Sequence, residues 1–178
     1  RWAKRLRLWL YVFERRENGF VFPAFYFSFS AHLRAYLYPR TYYNQDMLPL
    51  LRTKTTLPSA PPRSVERPRL LERMKAGSQR ALAVIVAPAG FGKTTLAAAW
   101  ARMRAMPVAW LSLQPADRPR ERLLAYVVQA LQVINPYLGQ TSLALLQGGS
   151  PDGALYALLN DLAEVPRDFA LILDDYHS

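Results

Sequence analysis

The sequence predicts an α/β fold with a partial parallel sheet flanked by helices, on three observations. A continuous apolar run, Ala81 to Val86, leads straight into a loop of small residues, Ala87-Pro88-Ala89-Gly90-Phe91-Gly92-Lys93-Thr94, and then into an alanine-rich stretch of helical composition. Apolar runs then alternate with helix-compatible runs, the mark of parallel strands joined by right-handed crossover helices. The last apolar run, Phe169 to Leu173, ends in two adjacent carboxylates, Asp174 and Asp175.

The front of the chain differs in composition from the rest. Of the 178 residues, the first 43 hold fourteen of the 22 aromatics and eight Lys/Arg against two Glu, so +6 of the net +10 lies there. Residues 1–46 are therefore expected to be a separate, unplaced aromatic and basic segment with no settled fold or no place in the domain behind it, and the start at Arg1 instead of Met fits that expectation. The apolar stretch Phe20 to Ala31 is broken by Pro23 and two serines, and at about a dozen residues it falls short of the roughly 20 that span a membrane. Leu8 to Phe13 is too short for a signal-peptide core and is followed at once by Glu14, Arg15, Arg16 and Glu17. Without a clustered basic face in the folded part, the positive balance does not select nucleic acid as a partner, and no direct nucleic-acid binding is expected. There is no cysteine, which excludes disulfide frameworks and cysteine-ligated zinc and suits the reducing cytoplasm where the chain is expected. Any metal must take oxygen ligands. His32, in the front segment, supports no assignment.

Residues 47–67 carry Pro49, Pro58, Pro61 and Pro62 and predict an extended lead-in. The domain proper is expected over 68–178. Pro68 suits the first turn of a helix whose Leu70, Leu71 and Met74 fall at helical spacing up to Gly77. Ala81 to Val86, with Val84, Ile85 and Val86 β-branched, predicts a strand covered on both faces. A helix is predicted over Thr94 to Met103, and a second strand over Val108 to Leu113. Pro115 and Asp117 lead into a helix from Pro119 to Ile134 with Leu124, Val128 and Leu131 on one side. In the next helix Ser150 is the expected cap, Pro151 lies in the first turn, Leu155, Leu158, Leu159 and Leu162 form the buried stripe, and Pro166 ends it. Phe169 to Leu173 is the third strand. Trp100 and Trp110, in apolar contexts, are expected in the core. Three strands are few for such a sheet, and the chain reads as a domain truncated just after its carboxylate-bearing strand.

The loop at 87–94 has the spacing of a phosphate-binding loop, which makes the fold class that of a P-loop NTPase. Its amides must turn inward around phosphate oxygens, and Gly90 and Gly92 supply the required backbone freedom beside Ala89 and Phe91. The helix that follows points its positive end at the phosphates. Lys93 brings an ammonium to the β- and γ-phosphates, the Thr94 hydroxyl can coordinate magnesium, and Thr95 adds a phosphate contact. Ala87 stands where the strict pattern has Gly. A carboxylate at the end of a neighbouring strand is placed to hold the ion, the role assigned to Asp174, while Asp175 is the candidate to orient or deprotonate the attacking water. Either carboxylate alone would also fit a chain that is simply leaving the core. His177 follows closely enough to stand behind these residues. The cofactors expected are ATP or ADP with Mg2+.

These residues, together with Leu51-Arg52-Thr53-Lys54, the segment Val65-Glu66-Arg67-Pro68-Arg69-Leu70-Leu71-Glu72-Arg73, the strand Val108 to Leu113, Asp117 and the closing Leu173-Asp174-Asp175-Tyr176-His177, resemble the MalT-like, LuxR-type transcription activators, within the signal-transduction ATPases with numerous domains. The resemblance runs from about Leu50 to Ser178. It implies an ATP-operated switch: an ADP-bound resting form, and an ATP-bound form that self-associates once an inducer engages a distal sensor, before a C-terminal helix-turn-helix binds promoter DNA. It further implies that Val65 and Arg67 lie near the nucleotide. Residues 1–43 have no counterpart in the family, and the family's later strands, sensor repeats and DNA-binding domain have none here. On this reading hydrolysis is slow and resets the switch, and the stretch in hand is expected to bind weakly and turn over little. The alternatives are a P-loop kinase, which would need an acceptor site and an arginine-bearing lid; a motor-type ATPase, whose strand commonly ends Asp-Glu; and an interaction fragment that no longer binds nucleotide.

Overall fold

A computed structural model describes residues 6–12, 50–60, 65–78 and 80–176. The front-segment expectations beyond Leu6–Val12, along with His32 and His177, fall outside these residues. Four strands, β1 (Leu6–Val12), β2 (Leu82–Val86), β3 (Val108–Ser112) and β4 (Phe169–Asp174), form one sheet in the order β2-β1-β4-β3, with every neighbouring pair parallel. The helices are α1 (Pro68–Gly77), α2 (Lys93–Arg102), α3 (Arg120–Leu131), α4 (Gln140–Gln147) and α5 (Pro151–Ala163). The α/β class expected from the sequence is the class observed.

Helices cover both faces of the sheet. On one face Trp110 of β3 and Ala170 and Ile172 of β4 pack with Met74 of α1 and Ala97, Ala98, Trp100 and Ala101 of α2. Ala83 and Ile85 of β2 join this cluster. On the other face the alternate residues Ala109, Leu111, Phe169, Leu171 and Leu173 meet Tyr126, Val128 and Leu131 of α3 and Leu158 and Leu162 of α5. This is the period-two division of a strand's side chains between two layers. Both tryptophans are buried as expected.

Four expectations are corrected. The sheet has four strands, because Leu6–Val12 pairs between β2 and β4, with Leu8 opposite both Leu82 and Leu171. The stretch alternates Leu6, Leu8, Leu10 and Val12 with Arg7, Trp9 and Tyr11, a period of two within an otherwise aromatic and basic composition. Without it, the facing sides of β2 and β4 would present unpaired backbone groups. Secondly, the lead-in is not extended throughout, because Arg52–Thr55 forms a 3-10 turn ahead of Pro58. Thirdly, β2 is covered on one face only: Val84 is 46% and Val86 53% exposed. Buried β-branched runs predict full coverage only for interior strands, and β2 lies at the sheet's edge. Fourthly, Ser150 occupies the N-cap position of α5 but makes no capping hydrogen bond. Its Oγ instead lies over Gly153, 2.8 Å from where a Cβ would stand. The sequence pattern also has no counterpart to α4, whose approach is fixed by the Gly139 amide donating to Asp161 Oδ2 at 2.8 Å.

Candidate functional site

Because all four strands are parallel, their C-terminal ends share one edge, where ligands of open α/β sheets bind. Among the described residues three segments leave from it: the loop after β2, the corner after β3 and the Asp174-Asp175 pair ending β4.

The loop after β2 has the backbone that its glycines permit. Gly90 and Gly92 take φ of 78° and 74°, left-handed values costly for other L-residues, and Gly92 is the N-cap of α2. The helix starts at once, with Leu96 N donating to Gly92 O at 2.9 Å. Ala89 and Gly90 form the turn, Phe91 projects outward, and Thr94 and Thr95 lie half-buried in the first turn of α2. Lys93 folds back over the loop, its Nζ donating to Ala87 O at 2.9 Å and Pro88 O at 3.1 Å. The ammonium and the first turn of α2 therefore lie together at this loop, a combination that suits an anion.

Asp174 closes the other side. It is 4% exposed, and its Oδ1 accepts a hydrogen bond from Thr94 Oγ1 at 3.0 Å, although β1 lies between their strands. Burial, and then the neighbouring Asp175 charge, push the Asp174 carboxyl above the usual carboxylate range, against the Thr94 hydrogen bond and Lys93, which act in the opposite direction. A hydroxyl and a carboxylate in contact, beside a lysine, form an oxygen donor pair that suits a magnesium ion. Asp175 is exposed and has φ 56°, the only positive φ on a non-glycine among the described residues. Its side chain therefore leaves the strand in a different direction from that of Asp174.

Of the two lead-in residues, Arg67 reaches the loop: its Nη1 donates to Phe91 O at 2.8 Å. Val65 is 80% exposed. The structure thus brings Ala89 to Thr95, Arg67, Asp174 and Asp175 to one edge. Sequence reasoning gave no role to the corner after β3, where Leu113 N donates to Asp174 O at 2.9 Å and prolongs the pairing of β3 with β4. Among the described residues no group of three or more His, Cys, Asp or Glu side chains could hold a metal, and no helix is long and apolar enough to cross a membrane.

Curated proteins similar to this chain include two of different kinds. The HTH-type transcriptional regulator MalT of Cronobacter sakazakii is 34% identical over 131 residues, covering 72% of this chain and 14% of that protein. The serine/threonine-protein kinase PknK of Mycobacterium tuberculosis is 32% identical over 127 residues, covering 67% of this chain and 11% of that protein. The chain thus spans only about an eighth of the length of these relatives. No family model and no solved structure matches it.

Proposed function

We propose that this chain is the nucleotide-binding part of a regulatory ATPase switch of the MalT-like kind, binding ATP or ADP with Mg2+ at the edge where β2 and β4 end. The observation that carries the proposal is the Thr94 to Asp174 contact of 3.0 Å beside Lys93, because it joins a phosphate loop to a metal-type carboxylate across an intervening strand. Gly90, Gly92 and the first-turn amides of α2 receive phosphate oxygens, and Lys93 exchanges its loop carbonyls for the β- and γ-phosphates. Thr94 and Asp174 would hold the metal. The chemistry a bound Mg2+ would supply is neutralisation of phosphate charge. Asp175 orients the attacking water or accepts its proton. Arg67 braces the loop through Phe91 O, and Val65, exposed on the lead-in, contacts the nucleotide when it binds.

The two relatives carry different names, one a transcriptional regulator and the other a kinase, yet each matches over a similar length of this chain. A shared module serving different outputs is what a regulatory nucleotide switch provides. The loop itself argues against a protein-kinase core, whose glycine-rich loop reads G-x-G-x-x-G and whose lysine lies on a later strand. On this reading hydrolysis is slow and resets the switch. The whole protein acts in the cytoplasm, senses an inducer, self-associates and reaches promoter DNA through a helix-turn-helix. The test is equilibrium binding of ATP with Mg2+. Lys93→Ala should abolish measurable binding while the fold persists, and unchanged affinity in that variant refutes the site.

A further inference from the structure

Two sequence marks 63 residues apart, Lys54 in the lead-in and Asp117 after β3, have no part in the nucleotide site, yet they meet as a buried ion pair. Lys54 is 5% and Asp117 1% exposed, with Lys54 Nζ 2.5 Å from Asp117 Oδ2. The same Oδ2 accepts the Gln114 amide at 2.9 Å, and Oδ1 accepts Arg122 Nε at 3.2 Å. Lys54 Nζ also lies 4.9 Å from the centre of the Tyr126 ring, and the Tyr126 hydroxyl accepts the Leu51 amide at 3.3 Å. A surface pair would need none of this surrounding structure. Two charges withdrawn from water are kept only where their remaining donors and acceptors are met, as they are here.

The corner that this pair fixes reaches Asp174. Gln114, whose amide is held by Asp117, directly follows Leu113, whose amide donates to the Asp174 carbonyl at 2.9 Å. Successive amides therefore link the buried pair on one side to the backbone of the metal-type carboxylate on the other. We infer that Lys54 and Asp117 are positioning residues for Asp174: the lead-in, by docking Lys54 on Asp117, sets the β3 corner and through it the carboxylate that faces Thr94. This inference rests on the nucleotide and metal reading above and adds to it a dependence of the metal half of the site on the lead-in.

The prediction separates the two halves of the site. Partners behind a metal ligand, when lost, lower metal affinity by roughly 10–100-fold. ATP affinity is measured at equilibrium with Mg2+ and again with EDTA. In Lys54→Met the tightening that Mg2+ brings should fall by roughly 10–100-fold, while affinity in EDTA stays within about twofold of wild type, because the phosphate loop is untouched. Lys54→Arg, which keeps the charge, should recover part of the Mg2+ effect. Should Lys54→Met not fold, the double variant Lys54→Met with Asp117→Leu, which leaves no unpaired buried charge in the pair, carries the same measurement. Equal losses with Mg2+ and with EDTA, or no loss, would overturn the positioning role and leave the nucleotide site standing. If Mg2+ does not tighten ATP binding in the wild-type protein, the parent reading fails, and this inference fails with it.

Discussion

The two edges of the sheet are treated differently. At the β3 edge the lead-in folds over the strand: the 3-10 turn Arg52–Thr55 packs on β3, Lys54 goes inside, and Leu57 joins the cluster around Trp100 and Trp110. At the β2 edge Val84 and Val86 remain about half exposed, and only the Ala83 and Ile85 face is packed. Both strands are short, apolar and rich in strand-forming residues, so composition does not separate them. Position in the sheet and a non-local cover do. An apolar run shows that a strand forms, and not which of its faces will be buried.

The largest effect should come from the covered edge. Trp110→Ala removes a fully buried ring between β3 and α2 and should cost about 3–5 kcal/mol in urea denaturation. A loss below about 1 kcal/mol would mean that the edge is not packed in this way. Next comes Lys54→Met, expected to destabilise by about 3 kcal/mol, the lower part of the range for breaking a buried pair, because Arg122 and the Gln114 amide still serve Asp117.

A smaller effect, and one of opposite sign, is expected between the edges at Asp174. Its carboxyl lies above the ordinary range when folded, so the native state holds the proton more tightly than the unfolded chain. Stability from this group is therefore greatest below the unfolded value of about 3.9 and is lost as pH rises from there to the raised folded value. Asp174→Asn has no such ionisation, so the variant should gain on wild type across that window and stay ahead at neutral pH. Parallel stability curves for the two proteins from acid to neutral pH would contradict the shift. Least of all should change at the bare edge, where Val86→Thr is expected to alter stability by less than about 0.5 kcal/mol. A loss comparable to that of Trp110→Ala would show that the β2 face is covered after all.

Much of the fold was legible in the sequence because the signals are local. The glycine-rich loop after β2, the strands through Val108–Ser112 and Phe169–Asp174, and the α3 and α5 stripes each announce themselves within a dozen residues by spacing and composition. The features that escaped are mostly non-local. β1 has a strand's alternation, but its place between β2 and β4 depends on partners more than seventy residues away. The pairing of Lys54 with Asp117 was equally invisible, although both residues belong to recognisable segments, because nothing in either segment points to the other. α4 is only eight residues long, carries no charged residue and depends on packing against α5. Of the residues that meet at the candidate site, Gly90, Gly92, Lys93, Thr94 and Asp174 are ones the sequence singles out. The hold of the β3 corner on Asp174 could not, because it runs through backbone amides that carry no side-chain signature.

The decisive measurement is ATP binding by wild type and Asp174→Asn, each with Mg2+ and with EDTA. If Asp174 and Thr94 hold the metal, Mg2+ tightens binding in the wild-type protein and has almost no effect in the variant, while both bind alike in EDTA. An equal response to Mg2+ in the two proteins would mean that the carboxylate touching Thr94 does not serve the metal.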